Sequence, residues 1–269
     1  MTVQGIVKRA TPTLVLLVGL LLIWQAVSWF LLNVLEVPLA QSKLPYIHEL
    51  AATFVEYSST VFAHAFVTFK SSLSGFLLGG AVGVIIAVIM SSSKWIEQMT
   101  FPYIVASQMI PILGLAPIVY GIVRDDSLAR VIIAAFMTFF PVVLNMLRGL
   151  RSADISSVEL MQSYAAKPWT IYWKVRLPQA LPSLFTGLKI AGPLAVTGAI
   201  LVELMGATEG IGVIMLRNLY YGSTHAYMFW VTVITGACLG FVSYLVISLI
   251  ERFVTPWQPE FRKTGGDDT

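Results

Sequence analysis

Residues 65–91 read AFVTFKSSLSGFLLGGAVGVIIAVIMS, and Lys70 is the only charged side chain among them. An α-helix rises about 1.5 Å per residue, so a run this long crosses the roughly 30 Å hydrocarbon core of a bilayer. Along it Gly75, Gly79, Gly83 and Ala87 recur at every fourth position. Such a row lets a second backbone come close where lipid gives helices no hydrophobic reason to associate. The segment predicts a membrane-spanning helix packed through its small-residue face. The whole chain agrees with it: of 269 residues, 57% are hydrophobic and 12% charged, about half the charged share of a soluble domain. So little charge cannot clothe a water-facing globule.

Five further apolar runs, at 11–35, 101–123, 131–147, 184–205 and 227–250, make six in all. The chain is expected to be an all-α membrane protein, a single transmembrane domain over 1–269. The first run follows Lys8 and Arg9 but is too long for a signal-peptide core and has no small-x-small cleavage site after it, so it reads as a retained span. With the N-terminus cytoplasmic, Lys8, Arg9, Lys94, Arg148, Arg151, Lys167, Lys174, Arg176, Lys189, Arg252, Arg262 and Lys263 fall inside, 12 of the 17 cations. Lys43, Lys70, Arg124, Arg130 and Arg217 fall outside. The positive-inside rule therefore puts both termini in the cytoplasm.

Pro38 and Pro45 break the chain after the first run. Ile47, Leu50, Ala51, Phe54, Val55, Val61 and Phe62 then recur at helical spacing, opposite His48, Glu49, Thr53 and Glu56, and predict a helix lying on the outer bilayer surface. Small-residue rows also mark the fifth run (Gly187, Ala191, Ala195, Ala199) and the sixth (Gly236, Gly240), giving a compact bundle and a candidate seam between two copies. The third run holds Pro102, Pro111, Gly114 and Pro117, and each proline removes a donor that lipid cannot replace. It should be broken, with Ser107, Gln108, Met109 and Ile110 facing either a pathway or neighbouring helices.

The net charge is only +3 and contains no basic block, so nucleic acid is not an expected partner. Cys238 is the only cysteine, which excludes a disulfide framework. His48, His64 and His225 are scattered singly, without the converging donors a metal needs. No Gly-Lys dipeptide occurs, so the chain has no Walker A phosphate loop.

The polar stretch Arg148 to Ser183 is the most specific. Ser156-Ser157-Val158-Glu159 fits a capping box that starts a short helix. That helix should end near Ala165-Ala166, since Pro168 disfavours helix at Lys167 and suits the first position of a second helix. Trp169, Tyr172, Trp173 and Arg176 share a face until Pro178 and Pro182 punctuate the start of the fifth span. Two short helices bearing aromatics beside Lys167 and Lys174 form a knob. It reads as a docking element or as an interfacial loop anchored by Trp and Lys.

Glu159-Leu160-Met161, Ala165, Leu177-Pro178-Gln179-Ala180-Leu181-Pro182 and Gly187-Leu188-Lys189 together resemble the EAA loop of binding-protein-dependent ABC importer permeases. Leu160-Met161 replaces that pattern's paired alanines, and Ala165 stands at its turn glycine. The likeness extends from Phe101-Pro102 through Ile110-Pro111, Ala116-Pro117 and Phe139-Phe140-Pro141 to Gly206–Gly212 and Pro256-Trp257. It is similar to the nitrate, sulfonate, taurine and thiamine-precursor branch. The resemblance implies a type I ABC importer permease-like bundle with a cytoplasmic coupling helix, in the cytoplasmic (inner) membrane of a prokaryote. It implies a second permease copy in a homodimer, two ATP-binding cassette subunits that carry ATP and Mg, and no cofactor on this chain. An external solute-binding protein would dock on outer segments around 37–64, 124–130 and 205–226.

By the same resemblance the residues coupling to the ATPase are Glu159, Ala165, Ala166, Lys167, Pro168, Trp169, Trp173, Arg176, Pro178, Pro182 and Gly187. Glu159 would cap and orient the coupling helix without doing chemistry, and the chain would be a non-catalytic subunit. Candidates for the substrate pathway are Gln108, Met109, Pro111, Asn145, Thr197 and Glu203, because polar groups and broken backbone at membrane depth favour the bundle interior. The absence of a dense basic cluster in the spans leaves a small organic solute or a monovalent anion. A motor-free secondary transporter or channel would use the same six spans but gives no reason for the knob. An embedded enzyme would need a constellation such as Lys70 with Ser71 and Ser72, which a lysine snorkelling at the outer end also explains.

Overall fold

The computed structural model describes residues 3–38, 43–220 and 226–258. His225, Arg262 and Lys263 lie outside the described residues, as do the side chains of Lys8 and Arg9. The described chain is helical, with no strand among the described residues. Among the described residues eleven α-helices follow in order: α1 Val3–Asn33, α2 Ile47–Glu56, α3 Ser58–Ser92, α4 Lys94–Ser107, α5 Ile112–Val123, α6 Asp126–Arg151, α7 Ile155–Ser163, α8 Pro168–Ile171, α9 Leu177–Glu203, α10 Ile211–Tyr220 and α11 Ala226–Val254. A π-helical turn, Tyr172–Arg176, joins α8 to α9.

Among the described residues five helical stretches are long and apolar enough to cross a bilayer: α1 from Val15, α3, α6, Pro168–Glu203 and α11. The bent pair α4 and α5 supplies the sixth. Local chemistry sets the boundaries. The Asp125 carboxylate accepts from the Leu128 amide at 2.6 Å to start α6, and Ser93 accepts from the Trp95 amide to start α4. Both satisfy amides that a helix start leaves without acceptors.

The α6 helix lies between α3 and α9, with α11 against the other side of α9 and α10 beside α11. The glycine row of α3 faces α6. A Cβ at Gly75 would sit 2.4 Å from the Ala134 Cβ and one at Gly79 2.3 Å from the Ala135 carbonyl oxygen. Gly187 of α9 meets the Pro141 carbonyl in the same way, and Gly198 meets Ala134. Gly236 and Gly240 of α11 lie against Ile200 and Pro193 of α9. The small-residue rows therefore join helices of one chain, and the row of α3 is taken up by α6 rather than left as a seam for a second copy. At the end near the knob, Met90, Ile104, Val143, Met146, Leu147 and Leu150 form one apolar core. At the other end Leu50, Val61, Ala65, Ile211, Ile214, Met228 and Val231 form another.

The outer-surface helix is shorter than its apolar pattern implies. It ends at Glu56, and Val61 and Phe62 belong to α3, which starts at Ser58 instead of near 65. The Tyr57 amide closes α2 on Thr53 while the Tyr57 carbonyl accepts from Val61. One apolar period thus continues across a change of helix axis. Leu50 is buried, whereas Val55 is exposed. The α1 helix rests on the bundle mainly at its second half, where Trp24 packs edge-on against Trp230 with ring centroids 5.2 Å apart and donates to the Pro45 carbonyl. Near the knob end, Lys189 of α9 and Glu251 of α11 make an ion pair of 2.7 Å, the carboxylate almost fully buried.

Candidate functional site

The third span breaks at Pro111. Its ring excludes an amide donor and crowds the carbonyl one turn back, and the preceding residue is pushed out of helical geometry. The structure closes α4 with short bonds from Gln108 to Val105 and from Met109 to Ala106, then restarts with Gly114 and Leu115 both donating to the Pro111 carbonyl. The two halves meet at 90°. Pro102 and Pro117 stay inside their helices. Gln108, Met109, Ile110 and Pro111 line a groove of about 540 Å³ with Phe136, Phe140, Pro141 and Asn145 of α6 and Ile190 and Leu194 of α9. No charged residue lines it.

Asn145 is partly committed to the scaffold. Its side-chain amide donates to the Pro141 carbonyl at 2.8 Å, and its own carbonyl accepts from the Ser183 hydroxyl at 2.7 Å. Gly187 allows that approach, since a Cβ there would lie 2.9 Å from the Asn145 Cβ. Thr197 is not in this groove. It donates to the Pro193 carbonyl of its own helix and lines a separate hollow of about 450 Å³ between α9 and α11, with Gly236, Gly240 and Tyr244.

Glu203 is in neither. It is 1% exposed, accepting from the Thr68 hydroxyl at 2.8 Å and from the Gly212 amide at 2.9 Å. Thr68 accepts in turn from the Ile211 amide, and the His64 Nδ1 accepts from the Gly210 amide at 3.0 Å. Arg130, also buried, donates to the Ser71 hydroxyl and the Glu209 carbonyl. These groups tie the turn between α9 and α10 onto α3 and α6. Gly210 is required there: its φ is +124° and a Cβ would lie 2.1 Å from the Glu203 carboxyl carbon. Of this cluster the sequence points to Glu203 and to the Gly206–Gly212 turn, and it is the acid's place beside those glycines that signals a structural role. Ser71 is engaged by Arg130, and Lys70 points away, exposed. No Lys–Ser dyad forms.

The knob is built as two short helices, but its cap differs. The N-cap of α7 is Asp154, whose carboxylate accepts from the Ser156 and Ser157 amides and the Ser157 hydroxyl. The Ser157 hydroxyl and these amides hold the Asp154 carboxyl below the usual carboxylate range, so the cap stays ionised as pH falls into the mildly acidic range. Ser156 is therefore inside the helix and Glu159 does not reach back; it is exposed on the surface. An acid two residues upstream outcompetes a serine because its two oxygens accept several donors together.

The end of α7 matches expectation. Ala165 has φ +53°, the Ala166 amide donates to Met161 and the Ala165 amide to Gln162, a Schellman close with alanine at the left-handed position. Pro168 then occupies the first position of α8. Replacing Ala165 by glycine removes the Cβ strain of a left-handed residue at some entropic cost, a net gain of about 0.5–1 kcal/mol. Hydrogen exchange at amides 164–166 of Ala165→Gly should slow roughly 2–5-fold. Unchanged exchange would show that the turn is unstrained.

Pro178 and Pro182 do not interrupt the chain as expected. The Leu177 amide bonds the Tyr172 carbonyl five residues back, and this wider turn lets the helix run on through both prolines to Glu203. Gln179 turns back to accept from the Asp154 amide at 2.8 Å. Trp169, Tyr172 and Trp173 contact one another, with Trp169 and Trp173 centroids 5.5 Å apart. Ile171 and Val175 bury the inner face. The outer face carries Ile155, Leu160, Tyr164, Trp169 and Trp173, all half or more exposed, while α7 buries no residue of its own. Lys167 and Arg176 flank this surface.

Comparison with known proteins adds three findings. Residues 79–256 match the family described as binding-protein-dependent transport system inner membrane component. The chain is 30% identical over 200 residues, 74% of it and 79% of the relative, to the formylaminopyrimidine transport permease protein ThiX of Halalkalibacterium halodurans. It is 28% identical over 247 residues, 91% of it and 90% of the relative, to the putative aliphatic sulfonates transport permease protein SsuC of Escherichia coli. Among solved structures, one described as an amino acid ABC transporter with histidines has a TM-score of 0.59 at 19% identity, covering 77% of this chain and 98% of that one. That likeness concerns the fold.

Proposed function

The chain belongs to the family of binding-protein-dependent transport system inner membrane components, and from that premise we propose how it is powered and what it carries. It is a multi-pass permease of an ABC importer, of the sulfonate, taurine and thiamine-precursor branch. Two copies of the chain enclose the path, two separate ATP-binding subunits holding ATP and Mg dock on their knobs, and an external binding protein delivers solute to the other face. Both termini lie in the cytoplasm, as the distribution of cations favours.

The observation that carries this reading is the knob. A nine-residue helix with no buried side chain, followed by two half-exposed tryptophans, presents an apolar surface at the polar end of a membrane bundle. Such surfaces mark binding sites. ATP-driven closure of the motor would move α7 and α8, and through the unbroken stretch Pro168–Glu203 the walls of the groove at the broken span.

The groove favours a small uncharged organic solute. Two amides, Gln108 and Asn145, sit among Phe136, Phe140 and methionines with no cation to balance an anion. A heterocycle of the kind named for the ThiX relative suits that lining better than an aliphatic sulfonate. Proteoliposomes containing this chain, its ATPase and its binding protein should take up a formylaminopyrimidine in a vanadate-sensitive manner. Gln108→Ala should slow that uptake roughly ten-fold, the loss of one buried hydrogen bond. Uptake that ignores ATP depletion and collapses with an ionophore would instead make the chain a secondary transporter. Equal transport of a sulfonate, indifferent to Gln108, would reject the solute assignment.

A further inference from the structure

Beside the knob, at the junction of α3, α4 and α7, lies a hollow of about 480 Å³ that is separate from the solute groove and shares Ile155 and Arg176 with the edge of the docking face. Ser91, Ser92, Ser93, Lys94, Arg151 and Arg176 supply all its polar side chains. A second hollow of about 290 Å³ shares Lys94 and Arg151 and continues along Phe101 and Pro102 of α4, with Glu97 and Gln98 at its side. Arg151 is paired with Glu97. Neither Lys94 nor Arg176 forms an ion pair among the described residues, and the nearby Asp154 carboxylate is occupied by its own helix start. The excess is two positive charges; the Ser91 and Ser92 hydroxyls donate to the Val88 and Ile89 carbonyls, and the Ser93 hydroxyl, which accepts from the Trp95 amide, keeps its proton for a ligand. Trp95, next to Lys94 and 68% exposed, is the residue type that sits at headgroup depth.

We propose that this hollow binds a phosphate group, and that its occupant is the headgroup phosphate of an anionic phospholipid whose acyl chain lies along Phe101 and Pro102. Basic side chains and hydroxyls are the donors a phosphate diester accepts from. The apolar continuation past Lys94 is what a soluble anion would not need. A bound lipid would brace α4 against the root of the knob, so the site would join the bilayer to the moving element. It requires only a headgroup layer at this end of the bundle and does not depend on which solute is carried.

The test uses the full chain purified in detergent and exchanged with phosphatidylglycerol or phosphatidylcholine, the retained lipid being counted by native mass spectrometry. Phosphatidylglycerol should be retained, and Lys94→Gln with Arg176→Gln should weaken its retention roughly ten-fold or more. Lys70→Gln, which removes one charge at the opposite end, should change nothing, and Lys94→Arg should retain lipid. Should the double variant misfold, Lys94→Gln alone, at an exposed position, should still weaken retention several-fold. Displacement of phosphatidylglycerol by millimolar inorganic phosphate, in the parent and not in the double variant, would keep the phosphate site and assign it to a soluble anion. Equal retention of both lipids by parent and double variant would overturn the proposal.

Discussion

Gly79→Val is expected to prevent the bundle from assembling. The α3 and α6 helices share one of the two most extensive faces of the fold, and at Gly79 they meet backbone to backbone. A Cβ there would lie 2.3 Å from the Ala135 carbonyl oxygen and 2.9 Å from the Ala135 Cα and the Thr138 Cβ. None of those is the far end of a flexible side chain. Relief requires α3 and α6 to separate, and Gly75 and Gly83 hold the same spacing one turn to either side. Overpacking in ordinary cores costs about 1–3 kcal/mol; with backbone as the obstacle, at least about 3 kcal/mol is expected. Since α6 also furnishes Phe136, Phe140 and Asn145 to the groove, a surviving fraction would be deformed where solute passes.

The comparison is with glycines that touch nothing. Gly19 and Gly121 have no neighbour within 4 Å of a built Cβ, and alanine there should be neutral or stabilising by up to about 1 kcal/mol. Thermal unfolding of detergent-purified chains measures all three. Gly79→Val melting with the parent would mean that the α3 row is not the contact that holds α6.

Much of this was readable from residue patterns because membrane constraints are local. Twenty apolar residues must cross, and a span carrying Pro102, Pro111 and Pro117 is under pressure to break, as it does at Pro111. The close of α7 was readable for the same reason, Pro168 limiting Lys167 and the chain needing a turn before it. What escaped the sequence involves competition or distance. Ser152, Asp154 and Ser156 are all cap-forming types within five positions, and only the fold, through the bond from the Asp154 amide to Gln179, selects the middle one. A π turn that carries a helix past Pro178 has no composition of its own. The Thr68 partner of Glu203 lies 135 positions away and the His64 partner of Gly210 146 away. Near Glu203 in the chain only the glycines at 206, 210 and 212 hint at a structural acid rather than one lining a path. Likewise Lys189 adds to an inside charge count in the sequence and is spent on Glu251 in the fold.

The corrected cap sharpens the second large prediction. Were Glu159 the cap, its loss would fray α7 and damage coupling indirectly. With Asp154 as cap and Glu159 exposed, α7 should keep its start in Glu159→Ala, and any loss of coupling must come from a surface the partner reads. The stronger variant is Leu160→Asp with Trp169→Ala. Leu160 is 58% and Trp169 69% exposed, so neither belongs to the core of the bundle; the ring contacts of Trp169 among the described residues are with the neighbouring Tyr172 and Trp173, and insertion and thermal stability should stay close to the parent. Anchor residues in docking surfaces are typically worth about 2 kcal/mol or more each, so two together weaken the ATPase complex by three orders of magnitude or so. Co-purification of the ATP-binding subunit should be lost, and uptake in proteoliposomes should fall below detection. Trp169→Phe, which keeps a ring against Trp173, should recover most of it. If the double variant transported normally, the exposed apolar face would be an anchor in the headgroup layer and the energy would enter elsewhere. Loss of ATPase from a chain that still folds, with recovery in Trp169→Phe, would instead locate the coupling on α7 and α8.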